Sequence, residues 1–238
     1  MAITVVSCSP SAGTGSGDQA PAAPEKKVLD VSGFGKLKPG MSKQDALATG
    51  ELAPAVAGRT GKCEDHRYTG APAPDAKQLE EEAEFEKKYE AAQKAADDAE
   101  AAIGPAPGAN AGAAEYAAYA EKAAASAEAS AKATELISES TKRIVARAEA
   151  REANGGVLFA GDEIRMIVPP PGVTAAKDIA KGATVEQLKA AYPNAVEKEA
   201  GKTFEVSVPD QNDVVLSFHF ADGKLTTFLL FNSEAKCS

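Results

Sequence analysis

The sequence has no tryptophan, only 5% aromatic residues, three cysteines and two histidines among its 238 residues. Hydrophobic residues still make up 44%, so a core can form, but it must be largely aliphatic. The few cysteines and histidines are too scattered for a familiar metal-binding spacing, and we expect no metal or other cofactor. No apolar run approaches the roughly 20 residues of a membrane-spanning helix. The 35 acidic residues outnumber the 26 basic ones, and the resulting net charge of −9 argues against a nucleic-acid partner.

The first residues resemble the end of a bacterial lipoprotein signal. The block Val5-Val6-Ser7-Cys8 has an aliphatic residue, a small residue and then a cysteine, as in the lipobox whose cysteine receives lipid. Met1 stands where the middle of the signal's apolar stretch would be, so residues 1–8 are interpreted as a truncated signal. Lipid on Cys8 would attach the chain to the extracytoplasmic face of the cell membrane. The alternative is a cytosolic protein with a coincidental cysteine.

The segment after the lipobox predicts a disordered tether. Residues 9–27 are mostly Ser, Gly, Ala and Pro, with few bulky side chains. Such a composition cannot bury enough apolar surface to offset the entropy of ordering. A tether directly after Cys8 is what a lipid-anchored protein requires.

Two segments match each other, and each predicts the start of a helix. Residues 37–46 align with residues 179–188, with an aliphatic residue, a glycine, a spacer and then Ser42 or Thr184 in each. Both hydroxyls are suited to cap free N–H groups, and Thr184 with Gln187 forms a capping-box pattern. The second helix is expected to end near Tyr192, before Pro193.

Strand-like runs follow each helix, three in each half of the chain. A turn at Asp222-Gly223 predicts a hairpin in the second half, and Gly161-Asp162 a turn in the first. The predicted strands are 62–68, 156–160 and 163–168, then 203–208, 214–220 and 224–231.

A long helical insertion separates the first two strands of the first half. Residues 75–153 are rich in Ala, Glu and Lys and are broken at Gly104–Gly108, which predicts an antiparallel helical hairpin. The alternative is a single charged helix or a spacer. The predicted seam of the first helix comprises Phe85, Tyr89, Ala92, Ala96, Ala99 and Ile103. The predicted seam of the second comprises Ala120, Ala123, Ala127, Ser130, Thr134, Ile137, Thr141 and Ile144.

These elements predict an α+β fold. A helix plus a three-stranded antiparallel meander is duplicated to form one sheet, from residues 28–70 plus 156–238, with the hairpin inserted. The hairpin takes the place of a five-residue turn in the second half, and loop length costs stability only logarithmically. We therefore expect the hairpin to be dispensable for folding.

The paired helix starts and the strands after them resemble the repeated domain of the β-lactamase inhibitor protein-like fold. The likeness is to uncharacterised actinobacterial secreted and lipid-anchored proteins built on that fold. It covers roughly residues 28–70 and 156–236. In the inhibitors an aromatic-rich sheet face docks on the target enzyme, and the scarcity of aromatics here counts against that activity. Their cysteines also pair within one repeat, whereas Cys63 and Cys237 lie in different halves.

No residue constellation predicts catalysis, so the chain is not expected to be an enzyme. His219 alternates with Phe218 and Phe220, which places it on the opposite face of its strand. His66 lies in a charged run and is interpreted as solvated surface. The polar sheet face is the candidate binding surface, and its residues are Arg165, Glu205, Ser207, Ser217 and His219.

The other two cysteines form an even pair if Cys8 carries lipid. Exported proteins fold in an oxidising compartment, where such pairs tend to form disulfides, and a bridge between Cys63 and Cys237 is predicted. Two unpaired thiols are the competing interpretation.

The predicted function is that of a cell-envelope lipoprotein acting as a non-catalytic binding or scaffolding module. The membrane is its first partner, and a protein would bind through the helical hairpin or the open sheet face. The alternative is a secreted inhibitor of an extracellular enzyme.

Overall fold

The computed structural model describes residues 27–209 and 211–237, which form a mixed α+β fold with four α-helices and sheets of three and eight strands. The lipobox-like block with Cys8 lies outside the described residues. So does the predicted tether up to residue 26.

Two short and two long helices make up the α-helical part. They are α1 (Lys43–Ala48), α2 (Ala76–Ile103), α3 (Ala113–Asn154) and α4 (Val185–Ala191). The predicted caps are confirmed: Ser42 Oγ accepts from the Asp45 N–H at 3.1 Å, and Thr184 Oγ1 accepts from the Gln187 N–H at 3.3 Å. The Gln187 side chain returns the bond to the Thr184 N–H at 2.8 Å, which completes the capping box.

The strands form one small and one large sheet. In chain order they are β1 (Val28–Asp30), β2 (Gly33–Phe34), β3 (Leu52–Thr60), β4 (Cys63–Tyr68), β5 (Gly156–Ala160), β6 (Glu163–Val168), β7 (Thr174–Ala175), β8 (Val196–Glu199), β9 (Thr203–Val208), β10 (Gln211–Ala221) and β11 (Lys224–Asn232). The small sheet has the order β2-β1-β7, and the large sheet β3-β4-β5-β6-β11-β10-β9-β8. All neighbours in the large sheet are antiparallel.

Each half of the large sheet has four strands, so the prediction of three was one short. The missed strands, β3 and β8, are its two edges. Strand β3 contains Pro54 and two register shifts, and every residue of β8 is exposed in the charged run Val-Glu-Lys-Glu. An edge strand needs neither a complete hydrogen-bond ladder nor an apolar face. The proline and register shifts of β3 and the charges of β8 also discourage pairing with another chain. Neither edge therefore carries the alternating pattern by which strands are recognised.

The core lies between one face of the large sheet and the short helices. Tyr192, at the end of α4, contacts Phe218 of β10 with ring centroids 5.2 Å apart. Ala46 of α1 and Leu188 of α4 are fully buried in the same cluster. The largest fully buried side chains are Phe159, Phe204, Phe218, Phe228, Leu29, Leu37, Ile164, Ile167, Leu188, Leu216, Leu225 and Leu230. The core is thus mainly aliphatic, as expected, but phenylalanine provides its bulkiest members.

Helices α2 and α3, called the helix pair below, lie between the neighbouring strands β4 and β5 in sequence. Arg147 Nη2 lies 2.7 Å from Glu82 Oε2, and the Arg143 guanidinium lies 4.4 Å from the centre of the Phe85 ring. From the first contact to the second, the residue number rises along α2 and falls along α3, so the two helices are antiparallel there. At 1.5 Å per residue, their lengths of 28 and 42 residues correspond to about 42 and 63 Å.

The predicted seam agrees with the burial pattern in α2, and the seam predicted for α3 is wrong. All six predicted α2 residues are buried or half-buried, but of the eight predicted on α3 only Ala123 is. The stripe that α3 does bury comprises Tyr119, Ala123, Ser126, Ala129, Ala133, Leu136, Ser140, Arg143 and Arg147. Five of its nine residues are Ala or Ser, and near its base Arg143 lies over the Phe85 ring. The isoleucines that suggested the other stripe, Ile137 and Ile144, are 44% and 45% exposed.

The predicted disulfide between Cys63 and Cys237 is confirmed, with the Cα atoms 4.9 Å apart. The chain after β11 returns to the turn between β3 and β4, where the Cys237 carbonyl accepts from the Lys62 N–H at 3.0 Å. Gly61 permits this approach, because it has φ +55° and a Cβ there would lie 2.5 Å from the Cys237 carbonyl oxygen. The bridge thus ties the last strand to the other half of the sheet.

Two buried tyrosines make the fold sensitive to alkali. Burial and, secondly, the charge of Glu51 raise the pKa of Tyr68; burial and Asp30 raise the pKa of Tyr192 to about 12. Unfolded tyrosines ionise near about pH 10, so their contribution to stability is complete below that pH. It is lost as the pH rises through the pKa values of the folded protein. We therefore expect the denaturant concentration at the unfolding midpoint to decrease as the pH is raised from about 10 to about 12.

The control is the double variant Tyr68→Phe/Tyr192→Phe, which lacks both phenols. It should lose less stability over the same range than a variant at the exposed Tyr116, Tyr116→Phe. If the stability of the two variants decreases equally steeply with rising pH, the buried tyrosines do not cause the loss of stability in alkali.

Candidate functional site

The five residues of the predicted binding face lie on one side of the large sheet. That side, called the outer face below, is turned away from α1 and α4. Ser217 is paired with Glu205 and Leu229, and Val215 with Ser207 and Phe231, and paired residues point to the same side of a sheet. Arg165 stacks over the Phe231 ring at 5.1 Å, which places it there too.

The structure brings some of these residues into contact and leaves Arg165 apart. Ser217 Oγ and His219 Nε2 are 3.1 Å apart, and Lys198 Nζ lies 3.4 Å from Glu205 Oε2. Ser217 is buried, whereas Ser207 is exposed. Arg165 belongs to β6, and β11 lies between it and the other four. Within residues 27–209 and 211–237, no acidic group hydrogen-bonds to the Ser217–His219 pair, so these residues do not form a hydrolase triad.

The end of α3 covers part of the outer face, so this face is not open across its whole width. Arg151 binds Asp65 of β4 through two bonds, Nε–Oδ1 at 2.5 Å and Nη2–Oδ2 at 3.1 Å. Its Nη1 also lies 3.9 Å from Met166 Sδ on β6. Glu152 accepts from Thr227 Oγ1 of β11 at 3.4 Å. These contacts, called the junction below, attach the end of α3 to the three strands β4, β6 and β11.

A second set of contacts joins the junction to α2. Arg147 pairs with Glu82 of α2 and donates to Thr60 Oγ1 of β3 at 3.0 Å. Both charged side chains are almost buried, 14% and 9% exposed. Gly155 ends α3 with φ +74°, and a Cβ there would lie 2.6 Å from Pro170 Cα. The helix pair is therefore held at its base by ion pairs and a tight backbone turn.

His66 is not solvated surface, as its charged neighbours suggested, but is 2% exposed. It lies on the core side of β4, where its ring meets Phe159 edge-on at 5.4 Å, and Nδ1 is 3.1 Å from the Ala53 carbonyl oxygen. The alternation of β4 places His66 and Tyr68 inward and Asp65 outward, and the unpredicted strand β3 covers that edge. The charged run misled the prediction, because Asp65 and Arg67 alternate to the opposite face of the strand. Glu64 shares the side of His66, with Oε2 4.0 Å from His66 Nε2.

A cleft of about 430 Å³ opens between the helix pair and the turn of β3 and β4. Four cationic side chains line it, with two aromatic rings and one carboxylate. We call it the cationic cleft, lined by Thr60, Gly61, Phe85, Glu86, Tyr89, Ser140, Arg143, Ile144, Arg147, Arg165, Lys236 and Cys237. A volume of about 300–1,000 Å³ is typical of small-molecule sites.

Two of the cationic side chains in the cleft form ion pairs with carboxylates, and Arg165 does not. Arg147 is paired with Glu82, and Arg143 with Glu139 at 3.1 Å. Arg165 has no carboxylate within 4.0 Å in the described part of the chain, and its Nη1 is buried without a hydrogen-bond partner. Burial lowers the pKa of this guanidinium. Sequence reasoning selected Arg165 for the sheet face but had no signal for the cleft, since its walls are distant in sequence.

Residues 27–209 and 211–237 contain no group of three or more His, Cys, Asp or Glu side chains placed to hold a metal ion. None of the helices within these ranges is both long and apolar enough to cross a membrane. Comparisons of the chain with protein-family models, with curated proteins and with solved structures found no match.

Proposed function

We propose that this chain is a non-catalytic binding or scaffolding module of the cell envelope, held on the extracytoplasmic face of the membrane by lipid on Cys8. The observation that carries the binding role is the helix pair, which is fixed to the sheet at its base and bears unpartnered aliphatic side chains. Membership of the actinobacterial lipoprotein family with a β-lactamase inhibitor protein-like domain is part of the same proposal.

The proposed duplication is supported by the order of the elements. Each half has a short helix capped by Ser42 or Thr184, followed by four antiparallel strands. The halves meet at the centre of the large sheet, where β6 pairs with β11. In the first half the helix pair, as an antiparallel hairpin, is inserted between the second and third strands.

Export is supported by the disulfide. Stable disulfides form in oxidising compartments and are rare in the reducing cytosol. Cys63 and Cys237 use two of the three cysteines, and the third is Cys8 of the lipobox-like block. This division of roles favours a lipid-anchored protein over a cytosolic one.

The partner surface that we propose lies on α3. Ile137 is 44% exposed and Val145 is 50% exposed, although both are large aliphatic residues. Exposed aliphatic groups on a rigid helix offer apolar area to a partner at little entropic cost. The ion pairs at the junction keep this surface at a fixed position relative to the sheet.

The alternative function, inhibition of an extracellular enzyme, would use the outer face at β8 to β10. Val196 is 55% exposed there, beside its cross-strand partner Glu205. An inhibitor should lose potency on Val196→Lys, whereas a scaffold acting through α3 should not change.

The lipid anchor is tested by expressing the full-length protein with its native upstream codons. Mass spectrometry should find a diacylglyceryl group on Cys8, and the protein should fractionate with membranes. Globomycin, which blocks lipoprotein signal cleavage, should cause the precursor to accumulate. A soluble, unlipidated protein, with Cys8→Ser behaving identically, would contradict the localisation.

The partner surface is tested by pull-down from envelope extract with the variant Ile137→Lys/Val145→Lys. We expect this variant to lose a partner that the wild type retains, because two buried cations at an interface are costly. The matched control, Ala124→Lys/Ala131→Lys, adds the same charge at exposed positions of the same helix. Equal recovery of the partner by both variants would exclude this surface.

A further inference from the structure

The cationic cleft is lined by the guanidinium of Arg165, which pairs with no carboxylate among the described residues. Arg165 is half-buried against the Phe231 ring, its Nη1 is buried, and no acceptor among the described residues reaches that atom. A partly desolvated cation without an acceptor costs free energy. Because the side chain as a whole is only half-buried, its other donors can meet an oxyanion in the cleft, and a guanidinium presents paired donors to carboxylate and phosphate groups.

The surrounding charge favours an anion over a cation. Once the Arg147–Glu82 and Arg143–Glu139 pairs are set aside, the lining charges that remain among the described residues are Arg165 and Lys236 against Glu86. This local excess of positive charge occurs in a protein of net charge −9. The ion pairs hold the cationic walls in place without a ligand, so the site is preorganised.

The rest of the lining is apolar and would accept the body of a ligand. Phe85 and Tyr89 stack with their ring centroids 6.5 Å apart and their planes at 16°. Ile144, 45% exposed, stands on the same lining. A ligand matched to these walls would carry an aromatic or aliphatic group next to its anionic group.

We propose that the cationic cleft binds a small organic anion, a phosphate or carboxylate attached to an aromatic body, with Arg165 as the residue that binds the oxyanion. This site goes beyond the proposed envelope function: it requires neither lipid on Cys8 nor the partner surface at Ile137 and Val145. Its failure would leave both of those proposals intact.

The test measures binding of phenyl phosphate to the full chain by titration calorimetry, with phenylacetate as the carboxylate probe and phenol as the uncharged one. We expect saturable binding of at least one anionic probe, weakened by salt, and much weaker binding of phenol. Arg165→Met should bind the anion about ten- to hundredfold more weakly, because a charge-assisted hydrogen bond is lost. Arg165→Lys, which keeps the charge but not the planar fork, should be intermediate.

The free protein provides a second readout that a merely structural arginine would not produce. Methionine keeps an apolar chain against Phe231 and removes the unpaired guanidinium, so Arg165→Met should melt at a higher temperature than the wild type while binding worse. Lys189→Met is the matched control, since Lys189 also stands over a ring, Phe204 at 5.1 Å, but on α4. The control should bind normally. Absence of saturable anion binding, or equal affinity in Arg165→Met, would overturn the proposal.

Discussion

Replacing Cys63 and Cys237 together by alanine is expected to lower the free energy of unfolding by about 3–5 kcal/mol. The bridge joins cysteines 174 positions apart in sequence, and the chain-entropy account gives its largest stabilisation to such long loops. Most of the sheet lies inside that loop, so the unfolded chain gains much freedom when the bridge is removed. Cys63 is also fully buried, and alanine at this position adds a small cavity. Denaturant unfolding monitored by circular dichroism measures the change.

Two controls separate the bridge from other cysteine effects. Cys8→Ser should leave the unfolding midpoint unchanged, since Cys8 takes no part in the bridge. A reducing agent should destabilise the wild type but not the double alanine variant. Titration of the denatured, unreduced Cys8→Ser protein should find no free thiol. Two free thiols, or a loss of stability below about 1 kcal/mol, would contradict the prediction and weaken the case for export.

The variant Arg151→Met is expected to destabilise the fold by about 3–5 kcal/mol. Asp65 and Arg151 are 13% and 9% exposed, so removal of the guanidinium leaves a nearly buried carboxylate without its two charge-assisted bonds. The same change releases the end of α3 from the outer face, where Leu158 is buried opposite Asp65. Chemical unfolding of the full chain gives the magnitude.

A double-mutant cycle isolates the pair from the packing of its side chains. The variant Asp65→Val/Arg151→Met should recover most of the lost stability, because two apolar side chains can replace a buried ion pair at little cost. Lys94→Met removes one partner of an exposed ion pair on α2, Lys94–Asp98, and should not measurably shift the midpoint. If the single and double variants at the junction are equally unstable, the ion pair does not hold α3 to the sheet.

The junction also alters the expectation that the helix pair is dispensable. Strands β4 and β5 are neighbours, so a short turn could replace residues 72–153, and folding without the helix pair is still the prediction. The contacts of Arg147, Arg151 and Glu152 mean, however, that such a variant would leave Asp65 and Leu158 without cover. We therefore expect a cooperative but less stable domain.

The success of sequence reasoning differed between local and non-local features. The caps at Ser42 and Thr184, the break at Gly104 and six of the eight large-sheet strands were predicted correctly, because each depends on residues within a few positions. The edge strands β3 and β8 were missed, since an edge can be built from Pro54 or from charged residues. The seam of α3 was wrong because an alanine-rich helix presents several stripes of similar hydrophobicity. Packing against α2 selects among those stripes, as where Arg143 lies over the Phe85 ring.

The amino-acid sequence by itself determined the α+β class, the aliphatic core and the inserted helices, because composition, capping and hydrophobic period act locally. Counting predicted the Cys63–Cys237 pair only if Cys8 carries lipid, and two unpaired thiols remained the alternative until the structure showed the bridge. The tertiary structure alone decided that His66 is buried, that α3 rests on the outer face through Arg151, and that Arg165 lines one cleft with Lys236, Phe85 and Tyr89. These outcomes join residues from β4, β6, the helix pair and the C-terminal segment. Such contacts arise from how folded elements pack against one another, and no spacing within the sequence encodes them directly.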